Sequence, residues 1–127
     1  MNLSEWLKDR GLHQQIIDDL LPHIPVTMSE EPIDDFCDSE KIMNSQNWFY
    51  WPNQTRFVLV GQCPNGDGVA IDTESSSGEV YYISHDLLHE ERLNDMIIKI
   101  AESPSDYVSK RNLEDFPWDF WEAKEGF

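Results

Sequence analysis

The stretch with the clearest chemical potential is His85-Asp86-Leu87-Leu88-His89, which spaces two histidines four residues apart. It is similar to the metal-binding pattern H-E-x-x-H, in which a helix places both imidazoles on one face and a glutamate reaches the metal-bound water. Here the shorter Asp86 replaces that glutamate, and His85 follows a predicted strand rather than lying on a helix. We therefore interpret the stretch as a solvated loop and expect no metal site.

A second stretch, Asn65-Gly66-Asp67-Gly68, carries amide and carboxylate oxygens that could bind calcium. Calcium loops supply oxygen ligands from five or more spaced positions and close with a glutamate, and these features are missing here. Asn and Gly are the residues that accept positive φ in tight hairpin turns. The stretch therefore predicts a β-turn, and we expect no cofactor.

Carboxylates also cluster ahead of the central region, at Asp34, Asp35, Asp38 and Glu40. Two such groups could act as general acid and base. No serine, histidine or lysine accompanies them at a spacing typical of catalysis, so we predict that the protein is not an enzyme. Two interpretations stay open for the cluster: a solvated face, or a docking surface for a basic partner.

The charge balance narrows the classes of partner. Nine Lys and Arg face 25 Asp and Glu, giving a net charge of −16. A chain this acidic does not bind nucleic acid directly by neutralising phosphates, and anionic lipid repels it. An aromatic content of 12% argues against a disordered acidic tail. The negative electrostatic field of the chain favours a basic protein partner and fast association with it.

Length and cysteine usage set the expected organisation. The chain has 127 residues, which suits one domain over residues 1–127 as a monomer or small homo-oligomer. It has no apolar run long enough for a membrane span, and its first residues lack a basic region followed by an apolar one, so we expect neither a membrane span nor a secretory signal. We therefore predict a cytoplasmic protein, in which Cys37 and Cys63 are free thiols.

Hydrophobic spacing predicts helices on both sides of a β-rich centre. Two helices are expected before residue 25, the first capped by Ser4 and stopped by Gly11. A strand through 33–36 and a short helix capped by Asp38 or Ser39 follow. Farther on, helical spacing predicts a helix over 93–101, and Ser103 with its following proline predicts the start of another.

The centre predicts an antiparallel meander. Residues 57–61 form an unbroken apolar run, and further strands are expected over 69–72 and 80–83, separated by turn-forming residues. Helices, then a meander, then helices predict the α+β class, with a central antiparallel sheet flanked by N- and C-terminal helices.

The meander carries an ordered set of residues that resembles the SUKH superfamily, which includes bacterial immunity proteins and fungal cell-wall-assembly regulators. The resemblance implies a structural role for the matching residues. These are Trp51, Pro52, Gly61, Asn65, Gly66, Asp67, Asp72, Gly78, Val80, His85 and Asp86. The final pair is reversed relative to the usual Asp-His order.

The resemblance implies a SUKH-like sheet backed by helices and a binding role without a catalytic site. It implies an immunity-type protein that binds and neutralises a toxin domain, for example a nuclease. Two alternatives stay open: a regulatory scaffold that binds an endogenous protein, and an acidic mimic of nucleic acid.

The C-terminal segment 113–127 is acidic and aromatic together, with five acidic residues and one lysine. It is either a strap packed on the domain or an interface in which aromatic anchors are ringed by acids. The predicted contacts to a basic toxin domain are Asp34, Asp35, Asp38, Glu40, Asp67, Trp118, Asp119 and Trp121.

Overall fold

The computed structural model of the 127-residue chain describes residues 2–25, 36–44, 56–63, 65–86 and 93–126. The described helices are α1 (Leu3–Asp9), α2 (Gln14–Leu20) with a 3-10 turn at Leu21–His23, α3 (Ser39–Asn44), α4 (Leu93–Met96), α5 (Pro104–Arg111) and α6 (Phe120–Gly126). The described strands are β1 (Phe57–Gln62), β2 (Gly68–Asp72), β3 (Val80–Ile83) and β4 (Ile97–Ala101).

The strands form one antiparallel sheet in the order β1-β2-β3-β4, so each strand pairs with its neighbour in sequence. The register pairs Val58 with Ile71, Val69 with Tyr82, and Tyr82 with Ile98. The predicted meander and the α+β class are thus confirmed. One irregularity interrupts the β1–β2 pairing between Leu59 and Gly61.

Both faces of the sheet are apolar, which explains the unbroken hydrophobic run in β1. Alternate residues such as Val58 and Val60 belong to a large core shared with the helices, whereas Phe57 and Leu59 belong to a smaller cluster with Ala70, Ile83 and Met96. The sheet members of the large core are Val58, Val60, Val69, Ile71, Val80, Tyr82, Ile100 and Ala101. Helices α1, α2, α3, α5 and α6 also contribute to it.

The helix predicted over 93–101 is wrong for most of its length. Residues 93–96 form the short α4, and Ile97–Ala101 form β4, which pairs with β3. Apolar residues at 96, 97, 100 and 101 fit a helical face, but they also fit a strand whose two faces are covered. Three β-branched isoleucines in five residues favour the strand, because branching at Cβ packs well on a pleated surface.

Local capping explains where the helices begin. Asn2, not the predicted Ser4, caps α1 by accepting a hydrogen bond from the Glu5 backbone amide at 2.8 Å. The predicted caps of α3 and α5 are confirmed, since Asp38 accepts from the Lys41 amide and Ser103 accepts from the Asp106 amide.

Several sequence-based expectations fall outside the described residues. These are residues 33–35 of the strand predicted over 33–36, the partner contacts Asp34 and Asp35, and the motif residues Trp51 and Pro52. Phe36, the last residue of that predicted strand, forms an isolated antiparallel bridge with Gly61. Among the residues that the structure describes, no helix combines the length and apolarity needed to cross a bilayer.

Candidate functional site

A buried carboxylate organises one end of the sheet. Asp67, in the turn between β1 and β2, is 0% exposed. Its two oxygens accept hydrogen bonds from His85 N at 2.9 Å, His85 Nδ1 at 2.6 Å, Asn65 Nδ2 at 2.9 Å and Phe120 N at 3.1 Å. Because these groups belong to the turn, the end of β3 and the start of α6, one side chain joins three separate segments.

This burial changes the role expected for Asp67. A fully buried carboxylate cannot touch a partner, so Asp67 positions the surface above it instead. Its oxygens already accept four hydrogen bonds from groups of the fold. The turn itself is confirmed, with Gly66 at φ +98° and its amide donating to the Cys63 carbonyl at 3.0 Å.

From Asp67 a line of polar contacts runs outward to the surface. The Nε2 atom of His85 lies 3.2 Å from Oδ1 of Asp86, and the other oxygen of Asp86 accepts a hydrogen bond from Nε1 of Trp121 at 3.1 Å. His85 follows β3 and not a helix, and Asp67 faces its Nδ1. Among the described residues, no group of three or more His, Cys, Asp or Glu is placed to hold a metal ion.

The backbone of the C-terminal segment is fixed to the core. Phe116, Phe120 and Ala123 are buried. The Tyr82 hydroxyl donates to the Pro117 carbonyl at 2.9 Å, and the Phe116 ring packs against the Tyr82 ring at 6.5 Å between centroids. The segment is therefore packed on the sheet, as one of the two sequence interpretations expected.

The same segment also exposes large apolar side chains. Leu113, Trp118 and Trp121 are 61%, 50% and 38% exposed, respectively, and they are the exposed large hydrophobic residues of the described chain. We call them, together with the surrounding carboxylates, the tryptophan surface. Those carboxylates belong to Glu114, Asp115, Asp119, Glu122 and Glu125.

Two basic residues of the chain stack on this surface. The Arg111 guanidinium carbon lies 5.3 Å from the Trp118 ring centroid and 5.9 Å from that of the core residue Tyr107. Burial lowers the pKa of Arg111. Lys124 Nζ lies 5.7 Å from the Trp121 ring centroid. Each exposed indole is therefore in contact with a cation of the chain.

Most of the remaining predicted site residues take part in contacts or conformations that hold the fold together. Asp38 caps α3, and Glu40 is exposed on that helix. The carboxylate of Asp72 accepts from Arg56 Nε at 3.2 Å and from its terminal nitrogen at 3.0 Å, and this hydrogen bonding raises the pKa of Arg56. Gly78 takes φ +81°, and Val80 lies in the core.

The structure also brings together a group that the sequence did not reveal. Asp19 of α2 accepts from both the backbone amide and the hydroxyl of Ser105 on α5, and His23 Nε2 lies 3.3 Å from that hydroxyl. In a catalytic triad the histidine takes the serine proton and the carboxylate orients the histidine. Here the carboxylate binds the serine directly instead of orienting the histidine, so the arrangement differs from a triad, and it joins α2 to α5.

Both cysteines are free, as predicted, and the structure shows that both are buried. Burial raises the pKa of each thiol, and at Cys63 the nearby Asp67 raises it further. A thiol with a raised pKa is a poor nucleophile and a poor metal ligand. At neutral pH both thiols are therefore less ionised than an exposed cysteine would be.

Comparisons of the chain with protein-family models, with characterised proteins and with solved structures find no match. The resemblance to SUKH proteins thus stays a prediction. What the described residues present is an anchored, acidic surface with exposed tryptophans.

Proposed function

We propose that this chain is a protein-binding domain that acts without catalysis and that its tryptophan surface is where the partner docks. The observation that carries the proposal is the exposure of Trp118 and Trp121, 50% and 38%, on a segment whose backbone is anchored by buried neighbours. Exposed tryptophans held in place lose little conformational entropy on binding. They are among the residue types enriched in the energetic centres of interfaces.

The proposed partner is basic. The chain has a net charge of −16, and residues 113–127 alone carry −4. Complementary charge raises the association rate and excludes acidic competitors, while buried aromatic anchors set the dissociation rate. In this proposal the carboxylates around Trp118 and Trp121 speed association with the basic partner. The indoles slow its dissociation.

We further propose that the partner is a toxin domain and that the protein confers immunity inside the cell that makes it. Support for this finer statement comes from the order of the meander residues, which resembles the SUKH superfamily. The acidic tryptophan surface is compatible with it, because many toxin domains that act on nucleic acid are basic.

Co-expression with the product of the adjacent gene tests this proposal. We expect the wild-type chain to co-purify with that product and to prevent its killing of the host. Trp118→Ala and Trp121→Ala should each weaken the complex about tenfold or more, whereas Gln15→Ala, a change at an exposed residue of α2, should leave it unchanged.

Three outcomes would contradict parts of the proposal. A product that is harmless to cells lacking this protein would argue for a regulatory scaffold instead of immunity. Competition by duplex DNA for the same partner would favour a nucleic-acid mimic. Complexes that tolerate both tryptophan variants, with the variants shown to be folded by circular dichroism, would remove the tryptophan surface as the docking site.

A further inference from the structure

Two rings of the C-terminal helix form a corner around an ammonium group. The Phe120 and Trp121 rings meet edge to face, with centroids 5.2 Å apart and planes at 83°. Lys124 Nζ lies 5.6 Å from the Phe120 centroid and 5.7 Å from the Trp121 centroid. One cation therefore contacts two nearly perpendicular rings, and we call this arrangement the aromatic corner.

The ammonium group of Lys124 lies over rings although carboxylates are close to it in sequence. These carboxylates include Glu122 and Glu125. Among the described residues, however, no salt bridge within 4.0 Å is formed by Lys124. Ring faces attract cations through their quadrupole, and at exposed positions the attraction is weak enough to be exchanged readily.

We propose that the aromatic corner is a subsite for a lysine side chain of the basic partner and that Lys124 fills this subsite in the free protein. The inference rests on the proposed function and adds the chemical class of the group recognised. Trp121 is 38% exposed and Lys124 is exposed, whereas Phe120 is 1% exposed with Lys124 in place, so an incoming lysine would reach the corner over Trp121 as Lys124 leaves.

Exchange of one ammonium for another has a consequence for affinity. The cation–π attraction between the rings and the incoming lysine is offset by the attraction that Lys124 gives up when it leaves, so Lys124 acts as a built-in competitor. The surrounding carboxylates still attract the incoming cation. Removing the competitor should therefore strengthen binding, whereas removing a lysine that merely supports Trp121 should weaken it.

The first test compares two lysine variants with a hexalysine peptide as the probe. Lys124→Met keeps an unbranched apolar stem and removes the ammonium group. Lys8→Met, at an exposed residue of α1, makes the same change of net charge elsewhere. We expect Lys124→Met to bind hexalysine about two- to five-fold more tightly than Lys8→Met, the factor that corresponds to one exposed cation–π contact. Equal or weaker binding by Lys124→Met overturns the inference.

The second test follows the side chain of Lys124 by NMR in the wild-type protein. Methylene protons held over ring faces are shifted upfield by the ring current. On saturation with hexalysine, the Lys124 methylene signals should move to their solvent-exposed positions while peptide methylene signals shift upfield. If hexalysine binds at residues 113–126 and the Lys124 signals stay shifted, the inference fails and the proposed function stands. If hexalysine does not perturb residues 113–126, both fail.

Discussion

The carboxylate of Asp67, in the first hairpin turn, accepts a hydrogen bond of 3.1 Å from the backbone amide of Phe120, which lies 53 residues later in the chain. Phe120 begins α6, the helix that carries Trp121. The same carboxylate binds the backbone and the ring of His85. A buried group in the meander therefore fixes the start of the helix that carries Trp121, one of the two exposed tryptophans of the proposed docking surface.

Replacing this carboxylate should be costly. Asp67→Ala leaves the Phe120 and His85 amides without their acceptor in a buried place, and we expect the free energy of unfolding to fall by about 3 kcal/mol. Asp86→Asn, which alters the exposed end of the same line of contacts, should cost under about 1 kcal/mol. Urea denaturation of both variants gives the comparison. Equal losses would show that Asp67 does not organise the segment.

Two glycines offer a matched test of backbone and packing. Both Gly66 and Gly78 have positive φ, at +98° and +81°. A Cβ on Gly66 would meet the nearest atoms at 3.9 Å, whereas a Cβ on Gly78 would lie 2.7 Å from Ile16 Cγ2.

Alanine at either glycine should cost about 1 kcal/mol for the left-handed backbone. Gly78→Ala should lose roughly a further 1–3 kcal/mol because the core is overpacked. Thermal unfolding under identical conditions separates the two variants. A smaller loss at Gly78 than at Gly66 would contradict the packing of α2 against this loop.

The thiols give a prediction about pH. Because burial raises the pKa of Cys37 and Cys63 in the folded state, the unfolded chain loses these protons at lower pH than the folded chain does. Their contribution to stability is therefore fully present below about pH 8.5, the ordinary thiol pKa, and is lost as the pH rises further.

Reaction with a chromogenic disulfide reagent measures how accessible and how ionised the two thiols are. At pH 8 we expect slow reaction of the folded protein and rapid reaction of two thiols per chain after addition of denaturant. Rapid reaction without denaturant would show that at least one of these thiols is accessible and ionised in the folded state.

Much of the fold could be predicted from the sequence because its signals are local. The apolar run at 57–61, the turn residues around Gly66 and the cap at Ser103 each act over a few residues, and all three are confirmed. The strand at 97–101 could not be predicted in this way because its apolar spacing also fits a helix. Pairing with β3, which decides between the two, is a long-range property.

The candidate site could be predicted only in part. Trp118 and Trp121 could be predicted as interface residues because acidic residues surround them in the sequence. The structure places both at the surface. The role of Asp67 could not be read from its turn, since its partners His85 and Phe120 lie 18 and 53 residues away. Nor could the spacing of Lys124 alone show that its ammonium group lies over two rings.

The most direct test of the central claim is to map where a basic peptide binds. Backbone and indole NMR signals of the wild-type protein would be followed during titration with hexalysine at low and high salt, with hexaglutamine as the uncharged control. We predict that the largest shift changes fall on residues 113–126 and on the Trp118 and Trp121 indoles. We also predict that affinity falls steeply as salt rises. Binding centred on another acidic region, or affinity that does not change with salt, would contradict the account.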